Sequence, residues 1–335
     1  MTNQITIISN ESIFENGNGF FCDNIDMKSI PEELSKNFEI LLISRRSKKK
    51  RFHKINFGKI ITASNIFSYL FNILKTFEKK KKKYLLISIT PYTFFACLIL
   101  FVFRKKIFIY LRSDGYEESR AILGFIGYYI YHIMFVFVTF RSQIITCQKR
   151  LTNKKSDLVF PSELDEKWIQ NTTEPALNKP KLLYVGRMKI EKGIFSLFKI
   201  FNEISTKAEL TILGQVNELN FDKKKIKLLN FESDASSLIK IYDDHNILIL
   251  PSFTEAHPKV VDESLARKRP VIVFTELKNK IQNRHGVFVS ERNAQSLSQT
   301  IDLIINDYVN IQKNMEKNVL PTKKEFIEQM TRILN

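Results

Sequence analysis

The chain alternates uninterrupted apolar runs with helix-length amphipathic stretches, and it does so in both halves. In the second half the runs are "KLLYVGR", "AELTILG", "KIKLLNF", "NILILPS", "PVIVF" and "GVFVS". Between them lie stretches such as "GIFSLFKIFNEI", "ASSLIKIYDD" and "KVVDESLARK". The first half shows "QITIIS", "FEILLIS", "YLLISIT", "IFIYLRS" and "SQIITCQ" in the same rhythm. A strand that is apolar throughout has both faces covered, and such strands separated by helices predict parallel sheets with helices on both sides. In "GIFSLFKIFNEI" the residues Ile194, Leu197, Phe198, Phe201 and Ile204 recur at the spacing of one helix face. The expected fold class is therefore α/β, with two Rossmann-like, doubly wound domains facing one another across a cleft. Ligands of such sheets bind outside the carboxyl ends of the strands.

A chain of 335 residues can bury two cores. The polar, proline-containing segment 152–180 is the expected crossing, with Trp168 as a packing anchor in it. The expected division is an N-terminal domain over 1–166, a C-terminal domain over 167–318, and a helix over 319–335 packing back on the first domain. Three cysteines, Cys22, Cys97 and Cys147, are odd in number and far apart. That argues against a disulfide framework or zinc site and for a reducing compartment. The opening "MTNQITIISNESIF" lacks the pattern of a secretory signal, so the expected location is cytoplasmic.

The formal charge is +17, from 52 Lys+Arg against 35 Asp+Glu. It is concentrated in "RRSKKKR" (45–51), "KKKKK" (79–83) and "RKK" (104–106). Such runs suit solvated loops, an anionic membrane surface, or nucleic acid. No nucleic-acid-binding motif or regular aromatic interleaving accompanies them, so no nucleic-acid partner is expected. Residues 84–103 are apolar enough to suggest a membrane span, but Thr90-Pro91 reads as an N-cap followed by a first helical residue. The segment splits into a strand and a short helix. The second apolar helix, 121–140, reads as core or as resting on a membrane. Greasy helices beside basic runs suit a peripheral protein on the cytoplasmic membrane face.

The strand ends hold the candidate chemistry. After "LLYV" come Gly186, Arg187, Lys192 and Gly193, so two cations flank a turn that opens a helix, an arrangement suited to phosphate oxygens. After "LTIL" comes Gly214, which permits close backbone approach. After "NILIL" comes "PSFTEAHPKVVDESLARK", with Glu255 in the loop, Pro258 at the helix start and Glu263 within the helix. Carboxylates are natural acceptors for vicinal hydroxyls. In the first half, Gly17 and Gly19 follow the first strand and Asp114-Gly115 follows "IFIYLRS"; both read equally as plain turns. The five histidines lack metal-ligand spacing, and "YDDHN" (242–246) reads as a helix end, so no metal is expected.

"YVGRMKIEKG", "LTILG", "ILPSFTEAHPKVVDESLARKRPVIVF" and "HGVFVS", in this order and spacing, resemble the donor half of the retaining family 4 (group 1) glycosyltransferases of the GT-B fold. The likeness spans about residues 180–310. It implies that Arg187 and Lys192 hold a donor diphosphate, that Glu255 meets the sugar hydroxyls and that Glu263 meets the ribose. The backbone and side chains of Ala256, His257, Pro258, Lys259, Val260 and Val261 would line sugar and phosphate. It also places Gly17, Gly19, Gly186 and Gly214 near the donor and gives Asp114 an acceptor or sugar hydroxyl. The family usually has glycine where Ala256 stands and commonly a small residue or glycine where Lys268 stands, so strain at Ala256 is expected if that loop needs a positive φ. The implied activity is metal-independent transfer with retention from a UDP- or GDP-sugar to a glycan or lipid-linked acceptor, with no cofactor, in surface-polysaccharide synthesis. The rivals are a nucleotide-sugar epimerase or hydrolase of the same fold and a non-catalytic basic membrane- or nucleic-acid-binding protein.

Overall fold

In the computed structural model, which describes residues 4–78, 82–214, 225–230, 232, 234–279, 281 and 284–335, the apolar runs become strands of two separate sheets. Part of the lysine run 79–83, residues 79–81, lies outside the described residues. The chain divides into one unit ending at Phe160, to which Lys324–Asn335 returns, and a second unit, Pro161–Lys323. The division falls six residues before the expected one at 166.

The first unit contains β1 (Gln4–Asn16), β2 (Gly19–Cys22), α1 (Ile25–Leu34), β3 (Glu39–Ser47), β4 (His53–Ile55), β5 (Ile60–Ala63) and α2 (Ile66–Leu74). It continues with β6 (Lys82–Ile87), α3 (Pro91–Val102), β7 (Lys106–Leu111), α4 (Gly115–Arg141), β8 (Gln143–Thr146) and β9 (Asp157–Leu158). Its parallel strands run β5-β3-β1-β6-β7-β8-β9, with β2 and β4 added antiparallel at the end of β1. Ile5, Thr6, Ile7 and Ile8 of β1 are fully buried, as a doubly covered strand requires. Thr90 caps α3 through Thr93 N at 3.3 Å, and Thr93 reciprocates in a capping box, which is why the apolar stretch breaks at Pro91. The glycine stretch "ENGNGFF" is a two-residue hairpin turn: Asn16 pairs with Gly19, whose φ is +121°.

The second unit contains α5 (Glu166–Ile169), β10 (Lys181–Val185), α6 (Ile194–Glu203), β11 (Glu209–Leu213), β12 (Ile226–Leu229), α7 (Ala235–Asp243) and β13 (Ile247–Leu250). Then come α8 (Lys259–Ala266), β14 (Val271–Phe274), β15 (Val287–Ser290), α9 (Ala294–Asn306) and α10 (Tyr308–Met315). Its sheet is parallel throughout in the order β12-β11-β10-β13-β14-β15, the 3-2-1-4-5-6 order of a dinucleotide-binding fold. The predicted face of α6 is the buried one: Ile194, Leu197 and Phe201 are fully buried against the sheet. Trp168 is buried and packs edge-on against Tyr242 at 5.5 Å. Helix α11 (Lys323–Leu334) follows α10 and joins the first unit, where Phe326 meets Tyr110 at 6.4 Å and Gln329 accepts from Phe160 N at 2.9 Å.

Candidate active site

The order of the second sheet reverses between β10 and β13, so the crevice outside their carboxyl ends is where a ligand of this fold sits. Two loops meet there: Gly186–Gly193 after β10 and Pro251–Pro258 after β13. Gly193 lets them close, with φ +67°, and a Cβ added to it would lie 1.9 Å from Pro251 O. The backbone of Phe253 also donates to Glu191 O at 3.1 Å. Gly214, at the end of β11, presses on Gly186 in the same way: an added Cβ would stand 2.2 Å from Gly186 O. The glycines of this crevice thus serve close approach of backbone to backbone.

The two loops are joined by charge. Lys192 Nζ donates to Glu255 Oε1 at 2.6 Å, and Ser252 Oγ donates to the same oxygen at 2.7 Å. Lys192 and Glu255, assigned separately to phosphate and sugar, are therefore one ion pair, with the lysine side chain 23% and the glutamate 12% exposed. Arg187 is exposed on the β10 loop and enters no ion pair among the described residues. The buried Tyr184 hydroxyl donates to Arg187 O at 2.8 Å and lies within electrostatic reach of Glu255 and Arg187; burial pushes its pKa up. Arg292, from beyond β15, stacks on Phe253 at 4.2 Å and Phe274 at 4.3 Å. It also donates to Pro251 O at 2.9 Å and Ser196 Oγ at 2.7 Å. Tyr184, Ser252 and Arg292 went unread in the sequence because each contributes a single side chain with no motif around it.

Helix α8 begins at this crevice. Its N-cap is Pro258, which offers no side-chain acceptor to the first-turn N–H groups, so those dipoles favour an anion. His257 turns inward, Nε2 lying 3.0 Å from Asp262 Oδ2, and Lys259 donates to Glu163 at 2.9 Å. Val261 is buried in the core, leaving only its backbone for a ligand, while Val260 is half-buried. Ala256 is buried but does not carry the expected positive φ; the strain predicted there is absent. The left-handed residue is Lys268, φ +54°, just past the end of α8, which explains why glycine suits that position.

Glu263 lies in the second turn of α8 and accepts from Tyr242 OH at 2.8 Å. Burial raises its pKa to about 7, against the lowering influence of the Tyr242 bond and of Lys259. Asp114 belongs to the first unit, where it caps α4 through Glu117 N at 3.2 Å and pairs with Arg150 at 3.0 Å. Both of its oxygens therefore have work inside the protein. Gly17 and Gly19 form the β1–β2 turn, and a side chain at Gly17 would meet nothing within 4 Å. Among the described residues no cluster of His, Cys, Asp or Glu has a metal-binding arrangement. Asp243 of "YDDHN" instead binds the buried Arg267.

Two parallel-sheet Rossmann-like units, one with an anion-favouring helix start and a paired lysine at its switch point, make up an α/β architecture of the GT-B type. Residues 165–320, which lie within the second unit, match the family "Glycosyl transferases group 1". The sequence is 23% identical over 310 residues to the capsular polysaccharide biosynthesis glycosyltransferase CapM of Staphylococcus aureus, covering 81% of this chain and 82% of that one. Over 162 residues it is 25% identical to an N,N'-diacetylbacillosaminyl-diphospho-undecaprenol alpha-1,3-N-acetylgalactosaminyltransferase of Campylobacter jejuni, covering 45% and 43% of the two chains. In fold it is similar to Anabaena HepE in complex with UDP and glucose, with a TM-score of 0.73, 12% identity and 99% of both chains covered.

Proposed function

We propose that the protein transfers a sugar, with retention at the anomeric carbon, from a nucleoside-diphosphate sugar to a hydroxyl of a glycan or lipid-linked saccharide in surface-polysaccharide synthesis. The observation that carries this is the Lys192–Glu255 pair joining the β10 and β13 loops at the switch point, beside the uncapped start of α8. Donor binding recruits Lys192 and Arg187 to the diphosphate and leaves Glu255 to accept from sugar hydroxyls. Glu263 accepts from the ribose diol.

The bond from the anomeric carbon to the diphosphate oxygen breaks, and a bond to the acceptor oxygen forms on the same face. The acceptor proton passes to the departing phosphate oxygen, so no separate base is required. Charge grows on the diphosphate, and Lys192, Arg187 and the α8 dipoles stabilise it without a metal. In the first unit the reading assigns Asp114 to a hydroxyl of the acceptor or the donor sugar, and Gly17 and Gly19 to the donor phosphates.

The test is a panel of UDP- and GDP-sugars read by melting temperature, followed by transfer to saccharide acceptors with and without chelator. One donor should raise the melting temperature and support chelator-resistant transfer. Lys192→Ala should lower turnover by about 10²–10³-fold. Donor isomerised without acceptor would replace this reading with an epimerase, and near-full transfer by Lys192→Ala would remove its electrostatic basis.

A further inference from the structure

Three neighbouring helices of the first unit expose apolar side chains where a water-facing helix carries polar ones. Helix α2 packs on α3, and α3 on α4. On α4 the residues Gly127, Tyr131, Met134, Phe135 and Val138 face the unit's interior at spacings of three and four. The remaining surface presents Ile122, Phe125, Ile126, Ile133, Phe137 and Phe140 to solvent, with Ile122 78% and Phe140 73% exposed. Phe67 of α2, at 80%, and Val102 of α3, at 72%, extend it. Residues 121–140 contain no Asp, Glu, Lys or Arg. An apolar surface this continuous marks an interaction site.

Cations lie against the rings of this region. Lys75 Nζ is 4.5 Å from the Phe71 ring, Lys105 Nζ 4.6 Å from Phe77, and the Arg141 guanidinium 5.1 Å from Phe101. Lys154 Nζ is 6.0 Å from Phe135 and donates to Thr139 Oγ1 at 2.7 Å. None of the ion pairs among the described residues of this unit involves these four cations. We propose that this face docks on the anionic surface of a lipid bilayer. The exposed side chains of α2, α3 and α4 enter the boundary between headgroups and acyl chains, and Lys75, Lys105, Arg141 and Lys154 meet lipid phosphates.

A lipid surface fits better than a second copy of the chain. Pairing this face with itself would set like charges against one another: the carboxylates of α4, Glu117 and Glu118, are confined to its first turn, and residues 119–154 contain none. Lying on the bilayer also fits better than crossing it, although α4 has the length and hydropathy of a span. Only residues 112–114 separate α4 from β7, and only Ser142 separates it from β8. Those strands are parallel neighbours in one sheet. A spanning helix must set its ends on opposite sides of a hydrocarbon layer about 30 Å thick, which such short connections to one sheet forbid. Gly124, with φ +64° and ψ −146°, also bends the helix.

The experiment is sedimentation of the full chain with phosphatidylcholine vesicles, with and without phosphatidylglycerol, in the absence of any sugar donor, so its outcome is independent of the transfer chemistry. Binding should be at least about tenfold stronger with phosphatidylglycerol at low salt and fall in high salt. The double substitution Phe125→Glu with Ile126→Glu should weaken it by more than about tenfold at an unchanged melting temperature. An Ile126→Trp variant should shift its emission to the blue on adding vesicles. The proposal is overturned by undiminished binding of the double variant, or by wild-type protein that ignores anionic vesicles at low salt. It is equally overturned by a lipid-independent dimer that the double variant abolishes, or by protein released from membranes by detergent but not by salt or alkali.

Discussion

Replacing Glu263 by glutamine should make the protein more stable at alkaline pH and change little in acid. The carboxyl is buried against Tyr242 and its pKa is raised from 4.5 to about 7. Between those values the unfolded chain has released the proton that the folded chain still holds, so stability falls as pH rises through that window. Each pH unit is worth about 1.4 kcal/mol, and a gap of two to three units costs the folded state about 3 kcal/mol by pH 8. At pH 4, below both values, the cost vanishes. The glutamine amide keeps an oxygen for the Tyr242 hydroxyl and has no proton to lose in this range. Urea unfolding of wild type and Glu263→Gln at pH 4, 5, 6, 7 and 8 should therefore give curves that diverge by about 2–3 kcal/mol between pH 5 and pH 8, the variant being the more stable. Other titrating groups cancel in the difference. Parallel curves would refute the raised pKa and the buried geometry behind it. The same reasoning reaches the ligand: ribose hydroxyls donate to a carboxylate, so donor binding should release protons near pH 7 in wild type. The Glu263→Gln variant should release none from this position, a difference measurable by calorimetry in buffers of different ionisation heat.

Arg267→Ala should destabilise the second unit by about 3–5 kcal/mol in guanidinium melts, because it leaves Asp243 only the longer pair with Arg269 at 3.7 Å and orphans the carbonyls of Trp168, Gln170 and Asn171 that the guanidinium now satisfies. A loss below about 1 kcal/mol would contradict the burial of that pair. Gly193→Ala should cost about 1–3 kcal/mol in strain and abolish the thermal shift by donor, since its Cβ would collide with Pro251 O. Lys268→Gly should raise stability by about 0.5–1 kcal/mol, relieving a left-handed backbone worth about 1–2 kcal/mol at the loss of an exposed pair with Glu316. Unchanged or lower stability would show that the left-handed backbone at 268 costs nothing.

What was legible beforehand follows from local physics. The α6 stripe, the Thr90 cap and the loops after β10 and β13 each depend on residues within a few positions of one another, so pattern alone located them. The places that pattern left open are those where a distant partner decides. "ENGNGFF" read equally as a ligand loop and as a plain turn, and only the pairing of β1 through Asn16 with β2 showed that it is a hairpin. Nothing local in "LARKRP" marks its arginines for burial, yet Arg267 and Arg269 are 1% exposed because backbone carbonyls of residues 168–173 and Asp243 receive them.

From its order of apolar runs alone this chain was bound to build two parallel, doubly covered sheets, and hence to gather its functional loops at strand ends. Hydrophobic burial is a short-range demand that every strand states for itself. Which charges answer one another was settled only in three dimensions. Lys192 and Glu255, 63 positions apart, became one pair, and Glu263 came to hold a proton near neutrality under Tyr242. Electrostatic energies depend on distance and on the exclusion of water, and both exist only once the sheet has brought the loops together.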